Sequence, residues 1–305
     1  MDSCTFRGEF PFAWVDFISR KLPITVSLEA YNPFVPSDPD ASGFPAAILK
    51  YTLKNRTQNT VETTIAWSLF NAVGCIGSAQ NEPGRGGTEF GLGGNVNQYE
   101  ERGKLRGLFF TSEKWPENHP RFGSMALTTD AEEVTVMKSW LRAGWFTPMH
   151  NFWDTFSLNG TLPDYEYGPT PENESAAGAL GIRLKLKSGE TRTVTFYITW
   201  YFPNYEKAWG EKPSAESGIP TSPSGWPVWK NYYAQQFTDA FDVAAKLHDA
   251  EPKLFQATKD FHDALFSTTA PAYLIEAVSS QLAILKSPTC LRLSDGTFYG
   301  FEGCS

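Results

Sequence analysis

The sequence is poor in the residues that build disulfide frameworks and metal sites. Its 305 residues include only four cysteines and four histidines, and both sets are scattered along the chain. None of them stands at the spacing of zinc ligands, and neither an HExxH motif nor a GxSxG nucleophile motif is present. We therefore expect no disulfide scaffold, no metal and no cofactor, and a reducing, cytoplasmic setting.

Long apolar runs and basic clusters are also missing. No stretch of about 18 apolar residues occurs, so no transmembrane segment is expected, and the charged N-terminal residues do not form a signal peptide. The formal net charge of -8 argues against nucleic acid as a partner, because duplex binding rests on Lys and Arg. The glycine-rich stretch GRGGTEFGLGG has Glu89 where the third glycine of a GxGxxG motif would stand, which disfavours a nucleotide site.

Apolar and polar residues alternate over the first two thirds of the chain. Strands are predicted at 24–29, at 46–53 and at 61–69, and the last two suggest a hairpin. A second hairpin is predicted from 182–187 and 193–200, with a turn at 188–190. This pattern is typical of an antiparallel β-sandwich, and the fold class is therefore mainly β.

Two long segments interrupt the strands, at 74–97 and at 203–227. Their Gly, Pro and Ser content predicts loops, and loops of this length act as lids, as interface arms or as disordered segments. After about residue 231 the pattern becomes helical, with Pro252 expected to break or restart the helix. A further helix is predicted to begin at Pro271 and to end at Pro288, before a short strand-and-turn segment around Asp295.

Five large aromatic residues lie within fourteen positions, close to Gly144 and Pro148. They are Trp140, Trp145, Phe146, Phe152 and Trp153. Their irregular spacing predicts a loop with aromatic faces near a sugar or a domain interface, and the alternative is a buried plug beneath a long loop.

Several carboxylates lie among aromatic residues, where burial would raise the pKa and suit a proton donor. They are Asp154, Asp164, Glu166, Asp295 and Glu302. The alternative for each is a turn residue or a surface charge, because aromatic neighbours alone are weak evidence for a site.

Five segments together resemble glycoside hydrolase family 116, the family of non-lysosomal glucosylceramidases and of bacterial and archaeal β-glucosidases. They are GEFPFAWVDF (8–17), LPITVSLEAYNPFVPSDPD (22–40), FGSMAL (122–127), FYITWYFPNY (196–205) and LAILKSPTCLRLSDGTFYGFEGC (282–304). The resemblance implies an N-terminal β-sandwich followed by a C-terminal (α/α)6 barrel. It also implies cleavage of β-glucosides with retention, through a Glu nucleophile and an Asp acid/base in the barrel.

On this resemblance the chain divides into three parts. Residues 1–230 are the sandwich domain, 231–286 are a helical linker and the start of the barrel, and 287–305 are the truncated beginning of the catalytic domain. Both catalytic carboxylates are then expected downstream of Ser305, and no residue of this chain is assigned a catalytic role. Trp153, Asp295 and Glu302 are the candidates for the substrate rim, and the expected partners are the catalytic (α/α)6 domain and a β-glucoside.

Three functions of different classes remain open from the sequence. The chain is expected to be the supporting part of a β-glucosidase, inactive alone. The first alternative is a carbohydrate-binding sandwich whose tryptophans stack on sugars. The second is an interaction domain that packs on a separate catalytic chain and leaves an apolar surface when isolated.

Overall fold

The chain forms two antiparallel sheets that face each other, as the alternating pattern predicts. The computed structural model describes residues 1–75, 93–172 and 174–300. The strands within these residues are β1 (Ser3–Glu9), β2 (Phe12–Ile18), β3 (Ile24–Tyr31), β4 (Ala46–Asn55), β5 (Val61–Phe70), β6 (Asn95–Arg102), β7 (Leu105–Ser112), β8 (Ser124–Thr129), β9 (Val134–Met137), β10 (Ala177–Leu186), β11 (Thr191–Tyr201), β12 (Asn204–Glu206), β13 (Val228–Lys230), β14 (Cys290–Arg292) and β15 (Phe298–Gly300). The helices are α1 (Pro39–Ser42), α2 (Thr147–Asn159), α3 (Ala240–Phe266) and α4 (Ala272–Leu282).

Eight strands form the large sheet, in the order β1-β2-β3-β4-β11-β8-β7-β6. Three strands form the small sheet, in the order β5-β10-β9, and β12-β13 and β14-β15 are separate two-stranded ribbons. Every pairing of described strands is antiparallel. The prediction of a mainly β, antiparallel fold is confirmed.

The main hydrophobic core lies between the two sheets. The alternate residues of β10 that were predicted to share one face, Ile182, Leu184 and Leu186, are all buried in it. They pack against the large sheet, which contributes Leu53 and Phe196 among others. Burying a side chain of this size stabilises the fold by about 1.5–3 kcal/mol, so this core is a main source of stability.

A second core lies on the opposite face of the large sheet, where α3 packs. Phe241 and Leu247 of α3 are fully buried against Ile48 of β4 and Tyr197 of β11. The register of β4 explains the two cores, because neighbouring residues of a strand point to opposite faces. The large sheet is therefore covered by the small sheet on one face and by α3 on the other.

The prediction that Pro252 breaks or restarts this helix is wrong, because α3 continues through it. A proline within a helix removes one backbone hydrogen bond and costs about 3 kcal/mol. Contacts on both sides of the position hold the helix in place. Glu251 accepts a hydrogen bond from the Tyr31 hydroxyl (2.6 Å) and pairs with Lys50 (2.5 Å), and Leu254 is buried in the second core.

Both predicted hairpins are also wrong, although their strands are confirmed. β4 and β11 belong to the large sheet, whereas β5 and β10 belong to the small sheet. Each connection therefore crosses from one sheet to the other. The fully buried Asn55 side chain lies where the two crossings meet, and its Nδ2 donates to the carbonyl oxygens of Asn59 (2.7 Å), Leu186 (3.0 Å) and Lys187 (3.0 Å).

The second half of the segment of clustered aromatics is a helix and not the predicted loop. Phe152 and Trp153 lie on α2, whereas Trp140, Trp145 and Phe146 precede it. Pro148 stands in the first turn of α2, where a proline is well tolerated, and Gly160 ends the helix with φ 70°. Phe152 of α2 is buried with Met137, Leu162 and Ala179 on the outer face of the small sheet. The layers of the fold are thus α2, the small sheet, the large sheet and α3.

The remaining predictions concern the long segments and the C-terminal third. The segment 74–97 ends in β6, which begins at Asn95, and its residues 76–92 lie outside the described part of the chain. The segment 203–227 contains β12 and a 3-10 turn. The helix expected after Pro271 is confirmed as α4, and the turn around Asp295 joins β14 to β15. The division at 230 and 286 and the start of a barrel stay predictions.

No helix formed by the described residues is both long enough and apolar enough to cross a membrane.

Candidate substrate-facing cleft

The structure places the predicted rim residues in different parts of the fold. Trp153 lies on α2, outside the small sheet, with its side chain more than half exposed and in edge-to-face contact with Phe152 (5.3 Å between ring centroids). Asp295 lies in the turn that joins β14 to β15. Leu293, two residues before it, forms a β-bridge with Asn231. Glu302 lies outside the described residues.

The surroundings of Asp295 are those of a turn residue. Its Oδ1 accepts a hydrogen bond from the backbone N–H of Thr297 (2.8 Å). This bond stabilises the carboxylate and lowers the pKa of Asp295 from its ordinary value. A proton donor needs the opposite shift, so the local chemistry of Asp295 does not resemble that of a general acid.

Asp164 and Glu166 form a small ionic group instead of a buried acid. The Lys138 ammonium lies 3.4 Å from Asp164 and 3.1 Å from Glu166, and the pKa of Lys138 is raised, chiefly by its hydrogen bond to Glu166. Both carboxylates are exposed, as is Asp154 on α2.

The first two residues of the first long segment, Gly74 and Cys75, meet the second long segment in a cleft of about 930 Å³. We call it the loop cleft and define it by its lining residues. These are Ala72, Gly74, Cys75, Trp115, His119, Pro120, Arg121, Phe202, Asn204, Tyr205, Glu206, Ala208, Trp209, Ser222, Pro223 and Ser224. Its size falls within the range of small-molecule sites, and it combines aromatic with ionisable side chains.

Asn204 joins the two walls of the loop cleft. This residue is buried at the start of β12, and its Nδ2 donates to the carbonyl oxygens of Glu117 (2.8 Å) and His119 (2.7 Å). A buried amide that is replaced by an apolar side chain leaves such carbonyls without partners, which costs about 1–3 kcal/mol for each group. Asn204 therefore fixes the 117–119 turn relative to β12.

The ribbon of β12 and β13 holds the second long segment in place. Within that segment, the backbone N–H of Lys207 donates to Pro227 O (2.9 Å), and that of Ser222 donates to Trp226 O (2.8 Å). Ser222 and Glu206 are thereby brought together on one side of the loop cleft, although sixteen positions separate them.

His119 is held in one tautomer at the floor of the loop cleft. The backbone N–H of Arg121 donates to its Nδ1 (3.0 Å), so the ring proton of the neutral imidazole resides on Nε2. Its ring stacks on Trp115 at 4.5 Å between centroids. Burial, and then the positive charge of Arg121, lower the pKa of His119, and the nearby Glu206 carboxylate opposes this shift. The net shift favours the neutral imidazole.

Glu206 faces His119 across the loop cleft. Its Oε1 accepts hydrogen bonds from the hydroxyls of Ser222 and Ser224. The described residues provide no hydrogen bond to Oε2. Charge-assisted hydrogen bonds are about twice as strong as neutral ones, so this carboxylate is a firmly placed acceptor.

Aromatic rings form one end of the loop cleft. The rings of Tyr205 and Trp209 lie 5.9 Å apart between centroids. The Trp209 ring also lies 5.6 Å from that of Trp229 and 6.2 Å from that of Tyr299. Tyr299 belongs to β15, so the C-terminal ribbon supports this end of the cleft. Burial raises the pKa of Tyr205, whose hydroxyl therefore stays protonated.

Sequence reasoning found the two long segments but missed His119 and Glu206. The shape of the cleft depends on the hydrogen bonds from Asn204 to Glu117 and His119. These residues precede Asn204 by 87 and 85 positions, and a local sequence pattern cannot predict a contact over that distance. The described residues contain no group of three or more His, Cys, Asp or Glu side chains that could hold a metal ion.

One solved structure similar to this chain comes from the human microbiome and is provisionally named a kojibiose phosphorylase. It is 10% identical, with a TM-score of 0.35, and the match covers 84% of this chain and 23% of that one. The chain thus spans about a quarter of that protein's length. A family model described as beta-glucosidase 2, glycosyl-hydrolase family 116 N-term, matches residues 1–254. Because the match takes in most of its 305 residues, this chain belongs to glycosyl-hydrolase family 116, as a member of its N-terminal domain family.

Proposed function

We propose that this chain is the N-terminal supporting part of a retaining β-glucosidase of the glucosylceramidase type, and that it is inactive alone. The family match supports the glycosidase class. The structural observation that carries the supporting role is the apolar face of α4. Tyr273, Leu274 and Val278 are all exposed there, on the helix that follows α3.

In this proposal α4 packs against a helical catalytic domain. The exposed side chains continue beyond α4 in the next 3-10 turn, where Ile284 and Leu285 are about half exposed. A group of exposed apolar side chains this close along the chain is typical of an interaction site. The proposal keeps the domain division that the resemblance implies: residues 1–230 form the sandwich, 231–286 lead into the helical barrel, and 287–305 begin the catalytic domain.

The proposed chemistry resides in the catalytic domain. There a Glu nucleophile and an Asp acid/base cleave the β-glucoside with retention, which requires the two carboxyl groups to lie about 5–5.5 Å apart. The loop cleft faces the substrate, and the free thiols of Cys4, Cys75 and Cys290 fit a reducing cytoplasmic setting.

Hydrolysis of an aryl β-glucoside tests the proposal. We expect no activity from the 305-residue chain and full activity when it is joined to a helical catalytic domain. Leu274→Asp combined with Val278→Asp would place two charges on the α4 face and lower the activity of the joined protein. Leu158→Asp is the matched control, because Leu158 is exposed on α2. Activity of the 305-residue chain alone contradicts the proposal, and so does equal loss in the control.

A second candidate function, sugar binding at the turn that precedes α2, is favoured by one observation. Trp145 is almost fully exposed and its backbone has φ 57°, an unusual conformation for a residue other than glycine. Strained, exposed residues are enriched at functional sites. Calorimetric titration of the chain and of its Trp145→Ala variant with β-glucans separates this function from the first. A sugar-binding module should release heat on binding, and the variant should release much less.

A further inference from the structure

The loop cleft brings together groups that suit a neutral, hydroxylated ring. A neutral imidazole supplies an N–H donor at Nε2 of His119, a carboxylate supplies an acceptor at Oε2 of Glu206, and aromatic rings of Tyr205 and Trp209 line one end. Sugar hydroxyls both donate and accept hydrogen bonds, and the C–H faces of a pyranose are apolar. The cleft therefore matches a sugar in both respects.

We propose that the loop cleft binds a neutral hexopyranose, with the Glu206 carboxylate accepting from one ring hydroxyl and the His119 Nε2–H donating to another. This goes beyond the supporting role, because it assigns a binding site to this chain itself. The site exists whether or not the catalytic partner is present.

The His119 end is organised before any ligand arrives. Its Nδ1 is occupied by the backbone N–H of Arg121, and the ring is stacked on Trp115. The Arg121 guanidinium in turn lies over the Trp115 ring, 4.8 Å from its centroid. A donor held in one orientation loses little freedom on binding, which favours affinity.

The Glu206 end is organised by two serines on the facing segment. Ser222 is buried, and both hydroxyls donate to the same carboxylate oxygen. The other oxygen keeps its lone pairs for a ligand hydroxyl. The negative charge at this position disfavours a carboxylated or phosphorylated sugar, because like charges repel in a partly desolvated site.

The volume of the cleft sets the size of the ligand. At about 930 Å³ it lies near the upper end of the range for small-molecule sites, about 300–1,000 Å³. It therefore admits a disaccharide as well as a single ring, and cellobiose should bind at least as tightly as methyl β-glucoside.

The test is a calorimetric titration of the 305-residue chain with cellobiose, methyl β-glucoside and glucuronate. We expect saturable binding of the two neutral sugars and weaker binding of glucuronate. Glu206→Gln keeps the side-chain shape but removes the charge, so it should weaken cellobiose binding by about tenfold or more. His119→Phe keeps a ring against Trp115 but removes the donor, and it should weaken binding similarly.

Phe6→Ala is the control, because Phe6 is an exposed aromatic residue on β1 and does not line the cleft. Near-ultraviolet circular dichroism verifies that each variant keeps its fold. The proposal is overturned if the wild-type chain shows no binding down to a Kd of about 10 mM. It is also overturned if the cleft variants bind normally, or if Phe6→Ala abolishes binding. These binding results leave unchanged the β-glucosidase activity expected of the joined protein. The sugar-binding proposal and the supporting-role proposal are therefore tested by different measurements, and either can fail without the other.

Discussion

Lys286 carries its ammonium group into a mostly buried position next to the 33–42 segment, and its replacement by methionine has a calculable effect. Its Nζ donates to the carbonyl oxygens of Pro33 and Ser42, and no carboxylate of the described residues pairs with it. Burial lowers the pKa of Lys286 from 10.5 to about 8. The pH dependence of stability should therefore contain a contribution from this one residue.

The sign follows from the two pKa values. Between pH 8 and 10.5 the unfolded chain keeps a proton that the folded chain has released, so the free energy of unfolding rises with pH. Each pH unit within this window contributes about 1.4 kcal/mol, and the interval from pH 8 to 9.5 therefore contributes about 2 kcal/mol. Below pH 8 both states are protonated and the contribution is flat. Lys286→Met removes the rise.

Urea unfolding followed by tryptophan fluorescence at pH 7.5, 8.5 and 9.5 measures the effect. Tyr51 and Cys75, whose pKa values burial raises, titrate alike in both proteins, so the difference between wild type and variant isolates Lys286. Lys21→Met at an exposed position controls for the loss of a positive charge. Parallel curves for wild type and Lys286→Met would refute the reasoning.

Three further predictions concern packing. Asn55→Ala leaves three carbonyl oxygens without their donor and should lower the free energy of unfolding by about 3 kcal/mol in urea unfolding. Phe152→Ala should cost about 3 kcal/mol, whereas Trp153→Ala should stay within about 0.5 kcal/mol, and equal shifts in Tm would contradict the burial difference. Gly107→Ala would bring its Cβ to 2.1 Å from Leu127 O and should destabilise by more than about 1 kcal/mol, as thermal unfolding would show.

The local pattern of the sequence predicted the strands but not the sheets to which they belong. Ile182, Leu184 and Leu186 face the core as their alternation indicates. The turn at 188–190 reverses the chain, which is equally compatible with a hairpin and with a crossing between sheets. At the crossing, the Asn55 side chain bonds to Leu186 and Lys187, more than 130 positions away. A short stretch of sequence cannot predict a contact between segments so far apart.

The aromatic segment shows the same limit on a smaller scale. The two alternatives for this segment were a sugar-facing loop and a buried plug. In the structure some of its aromatic residues are buried and others are exposed. Trp140 and Phe152 stack at 4.9 Å, and Phe152 is buried, whereas Trp145 and Trp153 are exposed. The loop was predicted from the irregular spacing of these aromatic residues. Pro148 stands among them, and at the first turn of α2 a proline is compatible with the start of a helix.

The position of β11 in the middle of the large sheet has a consequence for how the protein is made. β11 pairs with β4 on one side and with β8 on the other, yet it is the last of the eight strands to be synthesised. Until Tyr201 has left the ribosome, the sheet exists as two separate halves, each with an unpaired inner edge. Unpaired edges are templates for aggregation, and pairings this distant along the chain form slowly. We therefore expect the nascent chain to be most prone to aggregation in the interval before β11 joins the halves.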